Sequence, residues 1–279
     1  MSKIKRIPNF VRHAIFTYGR AHPRAYLTLT TALAGYVCNT CGLFPARKRV
    51  VNIKFKDLSA EINALSGEIS GYWENFQDDK YAARPTQAAS YCVFDIGGNA
   101  GFFSMLQVIL HKEKLRIFTF EPDPDVYGRT RRNIEQCNQG RNATLSVNNF
   151  AVGSSKGFAG FVRDGSCLSH VSTGAAGEAK HFDVPIDTLD NIVEANNVRR
   201  IDLMKIDVEG HEVEVLKGGL RTALPITKKI VLQYHPGRLK PVQEILEAAG
   251  FRLSGGNEAK ETAFFQRPDN SGEAQSGRS

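Results

Sequence analysis

Acidic residues are missing from the start of this chain, and their absence relocates its charge. Residues 1–56 hold eleven Lys/Arg and no Asp/Glu, the first carboxylate being Asp57. Of the 36 bases in the whole sequence, 25 remain to face all 29 acids after that point, so the formal net charge of +7 belongs to an N-terminal arm. A basic domain face, the footprint of nucleic-acid binding, is therefore not what the charge reflects, and no nucleic-acid partner is expected. Cysteine is also scarce: Cys38, Cys41, Cys92, Cys137 and Cys167 form an odd, scattered set. That excludes a disulfide framework and fits a reducing, cytoplasmic setting. Cys38 and Cys41 make one CxxC without the second ligand pair a zinc site needs. There is no internal repeat.

Charge of either sign is absent from residues 25–46, and basic clusters flank that stretch (Arg20 and Arg24; Arg47, Lys48 and Arg49). Threonines, two glycines and an asparagine within it make its apolarity marginal for a membrane helix. Ile4, Ile7, Val11, Ile15 and Tyr18 recur at helical spacing just before. Three readings of residues 1–56 stand side by side. They are helices lying on the rest of the chain or on a partner, contact with a membrane surface, and an organelle presequence.

Periodicity organises the remainder. Ile62, Leu65, Ile69, Tyr72 or Trp73, and Phe76 predict one amphipathic helix within a helical cover over 57–90. From residue 91 strands and helices alternate. Strands are expected over 91–96, 116–120, 143–152, 201–206 and 229–234, with short β runs at 158–162, 182–186, 251–253 and 263–266. Helices are expected over 102–111, 124–137, 189–194, 213–220 and 239–249. Such alternation means an α/β domain over 91–267, a mostly parallel sheet covered on both faces. Residues 268–279, rich in Ser and Gly, are expected to form a disordered tail.

Two strand ends carry the chemistry. Asp95-Ile96-Gly97-Gly98-Asn99-Ala100-Gly101-Phe102 is a glycine-rich turn directly after an apolar run, where side chains would block a ligand's approach to the backbone. The G-x-G-x-x-G dinucleotide form is not met. The next strand ends in Glu121-Pro122, twenty residues beyond Gly101, and an acid there can accept hydrogen bonds from two ribose hydroxyls. A third strand ends Lys205-Ile206-Asp207-Val208-Glu209-Gly210-His211-Glu212, and His235 follows a fourth. Asp207, Glu209, His211 and His235 are the acid–base candidates. Bland uses compete: Glu209 can favour the helix dipole, His211 can be a solvent-facing helix start, and Asp187 and Asp190 can cap a helix. Glu212 and Glu214 are expected on the surface. No zinc-protease motif opens at His211, because residue 215 is Val. Asp207, Glu209 and His235 are types that could take magnesium, but their spacing names no ion, so no metal is assigned.

In order and spacing, DIGGNAGFFS, FTFEPDPDVYGRTRRN, NNFAVGSSKG, PIDTLD and LMKIDVEGHEVEVLKGG resemble the FkbM family of class I S-adenosylmethionine-dependent methyltransferases. The resemblance covers about 91–236 and implies a Rossmann-like fold with a seven-stranded, mostly parallel sheet. It implies S-adenosyl-L-methionine as cofactor. Asp95, Gly97, Asn99 and Gly101 would hold its methionine part, with Gly98 and Phe102 completing the turn. Glu121, followed by Pro122, would take the ribose, and Asn149, Phe150 and Ala151 would border the adenine. Gly98 stands where the family usually has alanine, a harmless change to a smaller residue. Gln233 stands where many members have glutamate. The activity implied is O-methylation of a saccharide or glycosylated metabolite. A polyketide-like acceptor and a non-catalytic subunit of a larger assembly are the alternatives. Residues 163–170, rich in small polar types, read either as a loop that contacts substrate or as a plain surface loop.

Overall fold

The computed structural model describes residues 50–268 apart from 56–57, 64–67, 77, 86–87, 112–113, 164–169, 172–179 and 236. The arm up to residue 49, the Cys38–Cys41 pair, most of the 163–170 loop and the tail from 269 lie outside the described residues. Among the described residues no helix is long and apolar enough to cross a membrane.

The first described element is a strand pair, not a helix. β1 (Val50–Phe55) and β2 (Leu58–Asn63) form an antiparallel hairpin in which Ile62 pairs with Val51. The helix expected over 62–76 is correspondingly shorter: α1 spans Glu68–Phe76. Ile62 sits at a position that fits both periods, and its partner strand lies in a stretch that reads as arm. The expected boundary at residue 56 thus falls between the two strands of one hairpin.

The main sheet follows the predicted alternation. β3 (Ser90–Ile96), α2 (Phe102–Leu110), β4 (Lys114–Phe120), α3 (Pro124–Cys137) and β5 (Thr144–Asn148) come first. The strand expected over 143–152 is broken. β5 ends at Asn148, and β6 (Ala151–Val152) joins a second sheet with β7 (Gly157–Arg163), β8 (His170–Val171) and β9 (Lys180–Asp187), in the order β6-β9-β7-β8. Then come α4 (Leu189–Ala195), β10 (Ile201–Ile206), α5 (Glu212–Lys217), β11 (Thr227–Gln233), α6 (Leu239–Ala248), β12 (Arg252–Asn257) and β13 (Thr262–Gln266). The seven-stranded sheet runs β12-β13-β11-β10-β3-β4-β5. Five strands are parallel, and β13 and β12 pair antiparallel at the edge.

Side chains alternate across this sheet as a two-residue period demands. Val93, Leu115, Ile117 and Val231 meet the hairpin, α1, α2 and α3 on one face. Phe94, Ile96, Phe118, Phe120, Ile230 and Leu232 meet α4, α5 and α6 on the other. Local chemistry fixes the α3 start: Asp123 accepts from the Asp125 and Val126 amides, and Pro124 opens the first turn. At α4 the cap is Thr188, which accepts from the Asn191 amide. Asp187 instead receives the Thr188 amide and the Asn191 side chain, while Asp190 gathers the amides of Arg221, Thr222 and Ala223.

The chain builds outward from β3 to β5, then returns to place β10 on the other side of β3. That reversal opens a crevice at the carboxyl ends of β3 and β10, the place where open α/β sheets bind ligands.

Candidate active site

The glycine turn is fixed from both sides. The amides of Gly97 and Gly98 both donate to the Phe120 carbonyl at 3.0 and 2.9 Å, holding the turn to the tip of β4. Lys205, on β10, donates to the Gly97 carbonyl at 2.5 Å and lies 3.2 Å from Asp95. Gly97 has φ +80°, and a Cβ there would fall 1.8 Å from the Asp207 carbonyl oxygen. Glycine is therefore obligatory at 97 for two reasons, the left-handed backbone and the neighbouring strand end. Gly101, at φ +88°, starts α2 with no side-chain cap. Gly98 is not a neutral reduction from alanine: its Cβ would meet the Thr119 methyl at 2.4 Å. Thr119 fills the space, and its hydroxyl shares a 2.7 Å hydrogen bond with Ser104, which also donates to Asp95.

Glu121 reaches back over this turn. Its two oxygens accept from the amides of Asn99 at 2.8 Å and Asp123 at 2.9 Å. Burial pushes its carboxyl up to about 7, against the pull of those two amides. Asn99, at φ +46°, takes a left-handed conformation to present its amide. Asn149 donates to the carbonyls of Glu121 and Pro122 at 2.9 and 3.0 Å, so it braces the acidic strand end. Phe150 packs on Phe120 with ring centroids 5.4 Å apart, and Ala151 is buried where β6 meets β9. Phe102 is buried beneath Tyr72 and Phe76.

A second cluster lies across β3 at the ends of β10 and β11. The Asp207 amide donates to the Ile96 carbonyl, which sets that strand end beside the glycine turn. Its carboxylate accepts from Tyr81 at 2.7 Å and lies 3.9 Å from Lys205. Burial alone would raise the Asp207 carboxyl; the Lys205 and Lys80 ammonium groups and the Tyr81 hydroxyl outweigh it and hold the group below its ordinary range. Glu209, at φ +52°, points at His235, with Oε2 2.8 Å from Nε2. Burial, and then the Asp207 charge, push the Glu209 carboxyl up to about 7, although His235 opposes them. The His235 imidazole loses proton affinity to burial but gains more from Glu209 and Glu212, so it is raised above its usual value.

Glu212 overturns the surface expectation. It is 0% exposed, and Oε1 accepts from the Gly210 amide at 2.9 Å and faces His235 Nδ1 at 3.2 Å. Glu214 does pair with surface Lys217, at 2.8 Å. His211 stands apart at the start of α5, without a side-chain cap bond. Its Nε2 is 3.1 Å from where a Gly153 Cβ would lie, and burial lowers its proton affinity. The structure thus brings Asp207, Glu209 and His235 together and leaves His211 outside their hydrogen bonds.

Four participants carry little or no sequence signal. Lys205 was legible in principle, as a lysine inside an apolar strand. Tyr81 and Lys80 come from an irregular segment after α1. Lys80 donates to Gln233 at 2.5 Å and pairs with Glu74 at 3.1 Å, which gives the glutamine at 233 a partner of its own. Glu74, the fourth, is carried on α1.

Residues 95–253 match the Methyltransferase FkbM domain family. The chain is similar to the hexuronic acid methyltransferase AglP of Haloferax volcanii, 28% identical over 145 residues, covering 52% of this chain and 56% of that protein. The match thus spans little more than half of that relative's length. Methyltransferase 1 of Beauveria bassiana is 26% identical over 200 residues, covering 65% of this chain and 80% of that one. Among solved structures, M. jannaschii TYW2 in complex with AdoMet aligns with a TM-score of 0.43 at 12% identity, over 81% of this chain and 90% of that one.

Proposed function

Because this chain belongs to the FkbM methyltransferase family, whose cofactor is S-adenosylmethionine, we propose that it methylates a hydroxyl of a sugar or glycosylated metabolite. The observation that carries the reading is the Glu209–His235 pair, a proton acceptor set beside Asp207 at the end of the strand adjoining the glycine turn. The likeness to the hexuronic acid methyltransferase of Haloferax volcanii supports a saccharide acceptor.

The residues present fit the cofactor. Each oxygen of Glu121 accepts one backbone amide in the described contacts, and a carboxylate offers about four lone-pair sites, leaving acceptors for two ribose hydroxyls. Asp95, Gly97, Gly98, Asn99 and Gly101 would line the methionine end, and Pro122, Asn149, Phe150 and Ala151 the nucleoside end, whereas the side chain of Phe102 packs into the core against Tyr72 and Phe76. S-adenosylmethionine held there would supply an electrophilic methyl carbon, and the electron pair of the methyl–sulfur bond would stay on sulfur. The acceptor oxygen uses a lone pair to form the new bond to that carbon, and its hydroxyl proton passes to ionised Glu209. Asp207, held ionised by its lysines, is the weaker proton acceptor and would set negative charge beside the glycine turn, where it would favour a bound sulfonium. Holding acceptor and donor in line supplies much of the rate.

Incubation with S-adenosylmethionine and a panel of methyl hexosides and hexuronides tests the reading, with mass spectrometry detecting products one methylene heavier. A methyl ether on a hydroxyl is the expected product. A methyl on a carboxylate or nitrogen, or no product despite cofactor binding, would refute it.

Cofactor affinity should also depend on pH. Below about 7 the Glu121 carboxyl is protonated and accepts ribose hydroxyls poorly; above it the carboxylate accepts both. Calorimetric affinity for S-adenosylmethionine should therefore rise from about pH 6 to about pH 8 and then level. Glu121→Gln should weaken binding by about 1–3 kcal/mol and remove the part of the slope not due to the ligand's own amino group.

A further inference from the structure

Glu212 is a carboxylate with no surface at all, and its position answers a question that the Glu209–His235 contact leaves open. An imidazole flanked by two carboxylates can carry its hydrogen on either nitrogen, and only one arrangement serves proton transfer at Glu209. We infer that Glu212 is a positioning residue that keeps a hydrogen on His235 Nδ1, so that the exchangeable proton of the cluster lies between His235 Nε2 and Glu209. The inference rests on the function proposed above and assigns a role to a residue outside the acceptor's reach.

The geometry argues it step by step. Glu212 Oε1 already receives the Gly210 amide at 2.9 Å and faces His235 Nδ1 at 3.2 Å. An ionised carboxylate only accepts, so the nitrogen facing it must donate. Removing that hydrogen would set a nitrogen lone pair against a buried negative charge, an arrangement of high cost in a dry site. The hydrogen bond made by one imidazole nitrogen thereby decides what the other can do. Nε2, 2.8 Å from Glu209 Oε2, is left to exchange.

Two states satisfy these contacts. Either His235 carries both hydrogens between two carboxylates, or neutral His235 accepts from a protonated Glu209. They differ only in where one proton sits along the Nε2–Oε2 line. Once that shared proton has left, with Glu209 ionised and Nε2 unprotonated, a proton released by an acceptor hydroxyl to Glu209 can settle at either end of the line. Among the described residues, Glu209 and Glu212 face His235, Asp207 acts on both His235 and Glu209, and Lys80 also acts on Glu209. Gly210, at φ +98°, turns the backbone so that its amide reaches Glu212, which anchors the carboxylate independently of the histidine.

The test is histidine ring nitrogen-15 NMR on the full chain from about pH 5 to about pH 9, with His235→Asn used to identify the His235 signals. In the wild type, Nδ1 should stay protonated throughout, and only Nε2 should titrate, with a midpoint above 6.5, the imidazole's ordinary value. Glu212→Gln keeps the shape and removes the charge; it should lower that midpoint by about one unit, a tenfold loss of proton affinity. Glu209→Gln should leave the Nδ1 hydrogen in place. A wild-type Nε2–H tautomer, an even tautomer mixture, or an unchanged midpoint in folded Glu212→Gln would overturn the inference. If Glu212→Gln fails to give a cooperative thermal transition, the wild-type tautomer alone decides. None of these readings needs cofactor or acceptor, so the failure of S-adenosylmethionine to bind would defeat the proposed function and leave the NMR result standing.

Discussion

Gly97→Ala is expected to lower S-adenosylmethionine affinity at least about a hundredfold and to destabilise the fold by about 2–5 kcal/mol. The added Cβ would lie 1.8 Å from the Asp207 carbonyl oxygen and 2.9 Å from its carbon, so backbone must move against backbone. A left-handed conformation at φ +80° adds strain that alanine does not relieve. The displacement would separate β3 from β10, and it would draw the Gly97 carbonyl away from Lys205. Cofactor site and proton acceptor would thus be spoiled by one methyl group. Calorimetry and a urea melt check both effects; near-normal binding would mean that the turn does not hold the cofactor. Gly98→Ala is the informative contrast, because its nearest neighbour is a side-chain methyl, that of Thr119. Thr119→Ser in the same chain removes the collision, keeps the hydroxyl, and should restore binding.

Arg129→Ala should cost about 3–5 kcal/mol in unfolding free energy, the range for stripping one partner from a buried ion pair. Arg129 and Glu68 are each 3% exposed, and the Arg129 guanidinium donates to both Glu68 oxygens. Arg129 also donates to the Asp125 carbonyl at 2.8 Å within α3. A domain stable by about 5–15 kcal/mol would be left close to its limit. Replacing both partners by methionine should recover most of the loss, since no charge then remains buried alone. A loss below about 1 kcal/mol for the single change would put the pair in the class of exposed contacts.

The sequence carries those parts of the fold whose signals are local. β3 and β4 are apolar runs that end in a glycine turn and in Glu-Pro, and Asp123-Pro124 marks a helix start, so both βα units were legible. The break in the fifth strand was not. Residues 143–152 read as one β segment, yet Asn148 donates to Thr119 and Asn149 to Glu121 and Pro122, and these partners at and just past the end of β4 turn the chain away. The hairpin failed for a related reason. Ile62 fits a helical stripe with Leu65 and Ile69, and only its pairing with Val51 decides otherwise.

The site divides the same way. The glycine turn, Glu121, Asp207, Glu209 and His235 follow from strand-end placement and from the family resemblance. Glu212 reads as an ordinary helix-start charge, because the histidine it faces comes 23 residues later. Tyr81 meets Asp207 across 126 residues, and no pattern in its own segment announces the contact.

The clasp formed by Asn133 has a practical consequence for anyone excising a smaller fragment. Its side chain donates to the carbonyls of Glu61 on the hairpin and Ala100 in the glycine turn, and accepts the Glu61 amide. Cutting the gene to the family-matched stretch 95–253 would strip that clasp, Tyr81, Glu68, most of strands β3 and β12, and all of β13. The smallest piece worth expressing therefore begins no later than residue 50 and runs through residue 267, whose amide still bonds the Lys228 carbonyl.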